Sequence, residues 1–527
     1  MLRILLWDLG TQRDEFNEPL GIEMLAGALM PQAPEVAVDL RWENATSNGP
    51  APDLKPFAVV GLSVKLGTLP LLTRIIETIR HLPRQPVVLL GDVLPTFACR
   101  EILALFPEVI CVVGEGETAL RALVKSIVEP GRSRAQTLSR IPNLAFMSQG
   151  TLVQTERFQE DPKALLKPDR RFVGWTLRHR GILRVEGSRG CGWSRCQFCC
   201  VKSKYGASGW RPFPIPHIVD QLAELSSAGA RGPYFTDEDF LGGDAERALR
   251  LAESILQAKR DGAIAAQMSF LISARTNDIA SRAGERALDA LKRAGLREVF
   301  VGVESGSSVQ LRRYGKRVTP DLNKHALGVL RKLDLQTDIG YILFEPETTF
   351  DELKLNAQYL YELDLVDHYS RSIKDLRVQP LTGLAEKYAR KGIISGALDL
   401  NTLRYPARYT DERVAWVREK FAEFETEGMG EIYRLQGLCR GEAESDQIRL
   451  SAKKRLGKIR QIDLDQLSTL IAYASREIDA QAMRRLTDHH RKSRIRFWSP
   501  GRQTRKKCMA SGGTDIQTTQ QPQIQNE

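Results

Sequence analysis

The 527-residue sequence predicts an α/β protein in three parts: a doubly wound parallel sheet, a partial (β/α)6 barrel and a mostly helical carboxy-terminal region. Three observations carry this expectation. Short apolar runs alternate with helix-period segments over residues 1–130. A second alternating series of about six units occupies 181–390. Charged sequence of helical character fills 391–500. Periodicity alone leaves another open α/β sheet as the alternative to the barrel.

In the first series, Leu2–Leu6, Val36–Leu40, Phe57–Val64, Val87–Leu90 and Val109–Val113 read as strands. They are apolar throughout, as strands buried on both faces must be. Leu20–Leu29 and Leu71–Leu82 have helical spacing. Ligands of such sheets bind beyond the carboxyl ends of the strands, and here those ends carry Gly61, Ser63, Gly91 and Gly114-Glu-Gly-Glu117. Residues 131–180 read as a connector, with Pro142, Gly150, Pro162 and Pro168. In the second series the expected strands are Leu183–Glu186, Tyr234–Thr236, Met268–Ser273, Glu298–Val303, Thr337–Leu343 and Leu376–Gln379. The expected helices are Ile218–Ser227, Ala245–Lys259, Glu285–Arg293, Asp321–Leu333 and Asp351–Leu363. The polar end, 501–527, reads as disordered.

Composition excludes several classes. No apolar run approaches the roughly 18–20 residues of a membrane span, and Met1–Asp8 is too short for a signal peptide. Eight cysteines are too few for a disulfide scaffold, so the expected compartment is the reducing cytoplasm. The formal charge of +11 raises anionic partners as a question. Residues 484–507 answer it locally, with ten Lys and Arg against the single acid Asp488. The basic excess therefore reads as a solvated appendage; nucleic acid is not expected as a partner, although an anionic partner or leader peptide is the alternative for this segment.

Four cysteines, Cys191, Cys196, Cys199 and Cys200, fall within ten residues just after the first strand of the second series. Three thiolates in a compact loop can hold three irons of a [4Fe–4S] cluster and leave the fourth open to a small ligand. A zinc site is the alternative, with His179 or Cys200 among its ligands.

The segment Gly187-Ser-Arg-Gly-Cys191-Gly-Trp-Ser-Arg-Cys196-Gln-Phe-Cys199 resembles the radical S-adenosylmethionine (SAM) superfamily. That signature is Cys-x3-Cys-x2-Cys with an aromatic before the last cysteine. The resemblance implies Cys191, Cys196 and Cys199 as cluster ligands, Phe198 as the aromatic, and Cys200 as an extra thiol. The first gap here is four residues rather than three. Tyr234-Phe-Thr-Asp-Glu-Asp-Phe240, Ser273-Ala-Arg-Thr276 and Val301-Gly-Val-Glu-Ser-Gly306 resemble later stretches of cobalamin-linked members. They imply Glu304, and less directly Asp237 and Arg275, as SAM contacts. Lys316 reads as a surface lysine. Ile342–Thr348 and Gln379–Gly383 are similar to two further turns of the family, with Phe344 where glycine is usual.

The first part resembles the cobalamin-binding domain fused ahead of such barrels, which implies Ser63, Gly91, Thr96, Gly114, Glu115 and Gly116 as cobalamin contacts. Asp8-Leu-Gly-Thr-Gln-Arg13 lacks the histidine of Asp-x-His-x-x-Gly, so no lower axial imidazole comes from that loop. An empty, vestigial fold is the alternative. The resemblance spans about residues 1–390. It implies an enzyme using a [4Fe–4S] cluster, SAM and cobalamin, most often a C-methyltransferase acting on a small-molecule or peptide-derived substrate. Its expected partner is a one-electron reductant such as flavodoxin or ferredoxin, and its expected state a monomer. A cyclase or rearrangement enzyme shares the scaffold. An RNA methylthiotransferase would want further amino-terminal cysteines, where only Cys99 and Cys111 occur, and a cobalamin-sensing regulator leaves the cysteine loop unexplained.

Overall fold

The computed structural model describes residues 1–10, 17–32, 34–43, 52–128, 134–363, 373–440 and 445–498. The predicted polar tail from 501 lies outside them.

Seven strands form the first sheet: β1 (Leu2–Asp8), β2 (Val36–Trp42), β3 (Val59–Ser63), β4 (Val87–Gly91), β5 (Ile110–Val112), β6 (Leu144–Ser148) and β7 (Thr151–Gln154). Their order is β2-β1-β3-β4-β5-β6-β7, and the first five are parallel. Alternate side chains of β1 enter different cores: Leu5 and Trp7 pack on one face, Ile4 and Leu6 on the other. Both faces are therefore buried, which accounts for the uninterrupted apolar runs. The order reverses direction between β1 and β3, and a crevice opens there beyond the strand ends. Residues 144–154, expected within a connector, instead add two antiparallel strands to the sheet edge. They cover β5, whose Ile110 pairs with Phe146, so that no apolar edge remains beside it.

A hairpin of β9 (Ser188–Cys191) and β10 (Gly209–Pro212) separates the first strand of the second sheet from the rest. That sheet comprises β8 (Arg184–Val185), β11 (Tyr234–Phe235), β12 (Phe270–Arg275), β13 (Leu296–Glu304), β14 (Gln336–Phe344) and β15 (Ile373–Asp375). All pair in parallel in the order β15-β14-β13-β12-β11-β8, six strands of a barrel whose end strands do not meet. The intervening helices begin where the sequence provides side-chain caps: Asp244, Ser281, Thr319 and Thr349 each accept from a backbone N–H of the first turn. The sixth strand lies at 373–375, not at the predicted Leu376–Gln379. Leu376 and Val378 instead bury their side chains against Tyr314, Leu384 and Tyr388, a role that apolar alternation cannot distinguish from pairing.

The carboxy-terminal helices are continuous with the barrel. Leu464, Leu467 and Leu470 of the helix Asp446–Ala474 share its core with Val414, Val417 and Phe421 of the helix Glu412–Thr426. The basic segment is not a solvated appendage over its described part. Residues Ala480–Trp498 form a helix on which Arg494 is only 1% exposed. Arg494 Nε lies 2.9 Å from Asp463, and its Nη1 donates to the carbonyls of Phe424 and Glu427. A buried carboxylate has drawn one arginine of the run into the interior.

Candidate active site

The three predicted cluster ligands lie in one loop that neighbouring elements hold on every side. Gly190 has φ +87°, and any Cβ there would overlap the Gly209 carbonyl across the hairpin. Three consecutive acids after β11 clasp successive parts of the loop. Asp237 accepts from Gly187 N at 2.9 Å and Ser188 Oγ at 2.5 Å. Glu238 accepts from Gly190 N at 3.2 Å and Lys204 Nζ at 2.6 Å. Asp239 accepts from Gly192 N at 3.3 Å and faces Cys191 Sγ at 3.6 Å. The far side is fixed by Gln197 N donating to Tyr314 O at 2.8 Å, and by Leu384 N donating to Gln197 O at 2.8 Å. Phe198 packs its ring edgewise on Tyr314, 5.3 Å between centroids. The stretch Gln379–Gly383 thus supports the cysteines through the backbone that follows it.

Burial pushes the Cys196 thiol up to about 11, with Lys316 pulling it down and Glu304 raising it. Cys191 and Cys199 are also raised, first by burial. After burial, Cys200 and then Cys196 and Cys191 add to the rise at Cys199. Their donor chemistry suits iron, whose positive charge would reverse these shifts. Among the described residues, no three Cys, His, Asp or Glu side chains converge as a single metal ion requires. His179, offered as a zinc ligand, stacks on Trp175 at 4.3 Å and faces the Trp175 carbonyl through Nδ1.

Glu304 ends β13 with φ +67°, where the pairing to β14 slips by one residue. Its Oε1 accepts from Lys316 Nζ at 2.5 Å. A Cβ on Gly302 would overlap both members of this pair. Lys316 is therefore not the surface lysine expected: it is 6% exposed, buried by its bond to Glu304. Arg275 ends β12 beside the same loop, 3.9 Å from Asp278, whose carboxyl burial raises to about 6. Asp237 stands apart from these. Both its oxygens are engaged by the loop, it is 3% exposed, and burial raises its carboxyl to about 7.

A cleft with an empty volume of about 1380 Å³, open solvent included, lies at the carboxyl ends of β1, β3 and β4 and reaches the barrel. All six residues expected there, Ser63, Gly91, Thr96, Gly114, Glu115 and Gly116, line it. A Cβ on Gly91 or Gly21 would project into open space, so the floor leaves room for a bulky ligand. Thr96 Oγ1 accepts from Gly114 N at 3.0 Å and Ser63 Oγ donates to Asp92 at 2.7 Å. Where an axial histidine would be sought, Asp8 is buried, bound to Gly10 N and to Lys65.

Glu115 is held by the β9–β10 hairpin. Arg189, two residues before Cys191, donates to Glu115 at 2.7 Å, to Glu117 at 2.6 Å and to Glu186 at 3.0 Å. Burial opposes the guanidinium's charge, yet Glu117, Glu186 and Glu115 hold it well above its usual value. Burial likewise acts on Glu117, but Arg189 keeps that carboxyl below its ordinary range. Glu117 belongs to the glycine-rich run singled out in the sequence, but sequence reasoning missed Arg189 and Glu186, together with Arg184, Lys204 and Tyr205 on the same wall of the cleft. The position of Arg189 inside the cysteine segment was the only available signal.

The Radical SAM superfamily model matches residues 185–355, from β8 into the helix after β14. Residues 185–355 thus form a radical SAM domain. Its fold is similar to that of the cobalamin-dependent SAM radical enzyme OxsB, solved with aqua-cobalamin and SAM bound: TM-score 0.77 at 21% identity, over 93% of this chain and 75% of that one. The 4'-phospho-dehydrooxetanocin synthase of Priestia megaterium is 28% identical over 334 residues, 58% of this chain and 43% of the relative. The hopanoid C-3 methylase of Methylococcus capsulatus is 24% identical over 354 residues, 66% of this chain and 64% of that protein. The chain thus spans less than two thirds of either curated relative. Among the described residues, no helix is long and apolar enough to cross a membrane.

Proposed function

We propose that this radical SAM protein is a cobalamin-dependent C-methyltransferase acting on an unactivated carbon of a small-molecule or peptide-derived substrate. The observation that carries the reading is the cleft itself. It is walled on one side by the glycine-rich strand ends and on the other by Arg184, Glu186, Arg189, Lys204 and Tyr205, which flank the cysteine loop. A ligand there lies between the two domains.

When bound, the cluster with SAM supplies a 5′-deoxyadenosyl radical, and cobalamin supplies a transferable methyl group. Cys191, Cys196 and Cys199 would hold the cluster. Glu304, fixed by Lys316, would accept hydrogen bonds from ribose hydroxyls or the ammonium of SAM, with Arg275 at its carboxylate. Asp237 would act one step removed, by holding Gly187 and Ser188. Ser63, Gly91, Thr96, Gly114 and Gly116 would border the corrin and its nucleotide. The protein would work in the cytoplasm as a monomer, with a one-electron reductant.

Anaerobic reconstitution tests this reading. About four irons and sulfides per chain are expected, lost in the Cys191→Ala/Cys196→Ala/Cys199→Ala variant, with near-stoichiometric cobalamin. Zinc in place of iron, or no cobalamin under loading conditions, would refute it. Cyclisation or rearrangement is the second reading, favoured by similarity to an anaerobic magnesium-protoporphyrin IX monomethyl ester cyclase, 24% identical over 265 residues. Methyl-deuterated SAM separates the two: label appearing on protein-bound cobalamin supports methyl transfer, and its absence from fully loaded protein supports the other.

A further inference from the structure

The four-residue gap between Cys191 and Cys196 builds a feature of its own. Ser194 adopts φ +45°, uncommon for a residue with a side chain, and its hydroxyl donates to the Cys191 carbonyl at 2.5 Å. Trp193 in this turn is half-buried and anchored by Nε1 donating to Gly315 O at 2.9 Å. Three guanidiniums surround its indole: Arg317 at 5.0 Å, Arg195 at 5.3 Å and Arg275 at 5.8 Å from the ring centroid. Arg275 faces Asp278 and Asn277. Arg195 and Arg317 are exposed, and among the described residues neither side chain has an ion pair.

We propose that Arg195 and Arg317, carried on the Trp193 platform, form the docking point for an acidic one-electron carrier protein that reduces the cluster. The inference rests on the functional reading above, which requires a cluster at these cysteines. Stacking on an indole fixes each guanidinium plane while leaving its N–H edge free for carboxylates. Both arginines are exposed, which suits a protein surface better than an enclosed small anion. Redox encounters are small and transient, and they are assembled by charge rather than by area. Arg195 is bonded directly to Cys196, so a carrier seated here stands beside a cluster ligand. One electron passes from the reduced carrier to the cluster; the carrier is oxidised by one electron, no covalent bond changes and no proton moves.

The test compares reconstituted wild type with the Arg195→Glu/Arg317→Glu variant, using a reduced flavodoxin and, separately, photoreduced 5-deazariboflavin as a small reductant. Docking predicts that flavodoxin affinity falls roughly tenfold or more and loses its salt dependence. Iron content and reduction by 5-deazariboflavin stay at wild-type levels. Unchanged flavodoxin affinity overturns the proposal. Loss of iron from the variant also overturns it, because the charges would then serve the loop's structure. Wild type that assembles no cluster refutes instead the reading beneath it.

Discussion

Arg189 Nη1 donates to Glu115 Oε1 at 2.7 Å, and this contact joins the cysteine loop of the barrel to the glycine-rich loop of the first sheet. Glu117 and Glu186 complete a buried cluster of three carboxylates around one guanidinium. The surroundings of the two candidate ligand sites therefore share one side chain.

Arg189→Leu leaves buried Glu117 and half-buried Glu186 without their cation. Urea unfolding of the cluster-free protein is expected to show a loss of about 3–5 kcal/mol, the usual cost of breaking a buried pair from one side. A loss within about 0.5 kcal/mol, typical of a neutral surface change, would show the clasp to be idle.

Arg494 poses the same question in the carboxy-terminal helices. Arg494→Met leaves buried Asp463 with Arg460 alone, 3.5 Å away, and is expected to cost about 1–3 kcal/mol, whereas Asp463→Leu/Arg494→Met removes both charges and recovers part of that loss. A solvated tail would tolerate the single change, so equal stability of Arg494→Met and wild type contradicts the packing described here.

Asp237 makes stability depend on pH in an unusual direction. Its carboxyl is raised from 3.8 to about 7, first by burial, although Ser188 and Gly187 pull it down. The folded chain thus holds this proton more tightly than the unfolded chain. The stability it contributes is full below about pH 4 and is lost as pH rises through about 7. Between pH 5 and pH 8 wild type should lose on the order of 2 kcal/mol more than Asp237→Asn. Parallel unfolding curves for the two proteins across that window would dismiss the effect.

Glu304→Gln in the reconstituted protein is expected to weaken SAM binding about tenfold or more, close to 1.4 kcal/mol, with iron content kept. Lys316→Met should act in the same direction, because it removes the 2.5 Å bond that fixes the carboxylate. Equilibrium dialysis with labelled SAM measures both, and a wild-type dissociation constant in each would remove Glu304 from the SAM site.

The legible part of the site was carried by short-range pattern. Cysteine spacing points to a cluster loop, and glycines after apolar strands point to the cleft, where all six expected residues lie. Lys316 and Arg494 were misread for one reason: a cation in a polar stretch looks solvated until a distant carboxylate accounts for its burial. The sixth strand slipped because Leu376 and Val378 carry the apolar signal for packing just beyond it, with only Leu376 N still bonding to β14.

By itself, the sequence determined the strand and helix alternation, the cysteine loop and the small residues at strand ends. These depend on neighbours along the chain, where periodicity and spacing act. Only the tertiary structure decided that the first sheet extends to Gln154, that the carboxy-terminal helices share the barrel core, and that Arg189 links two loops 74 residues apart. The reason is physical: a buried charge is tolerated only where the fold delivers its partner, and that delivery is a property of three-dimensional packing.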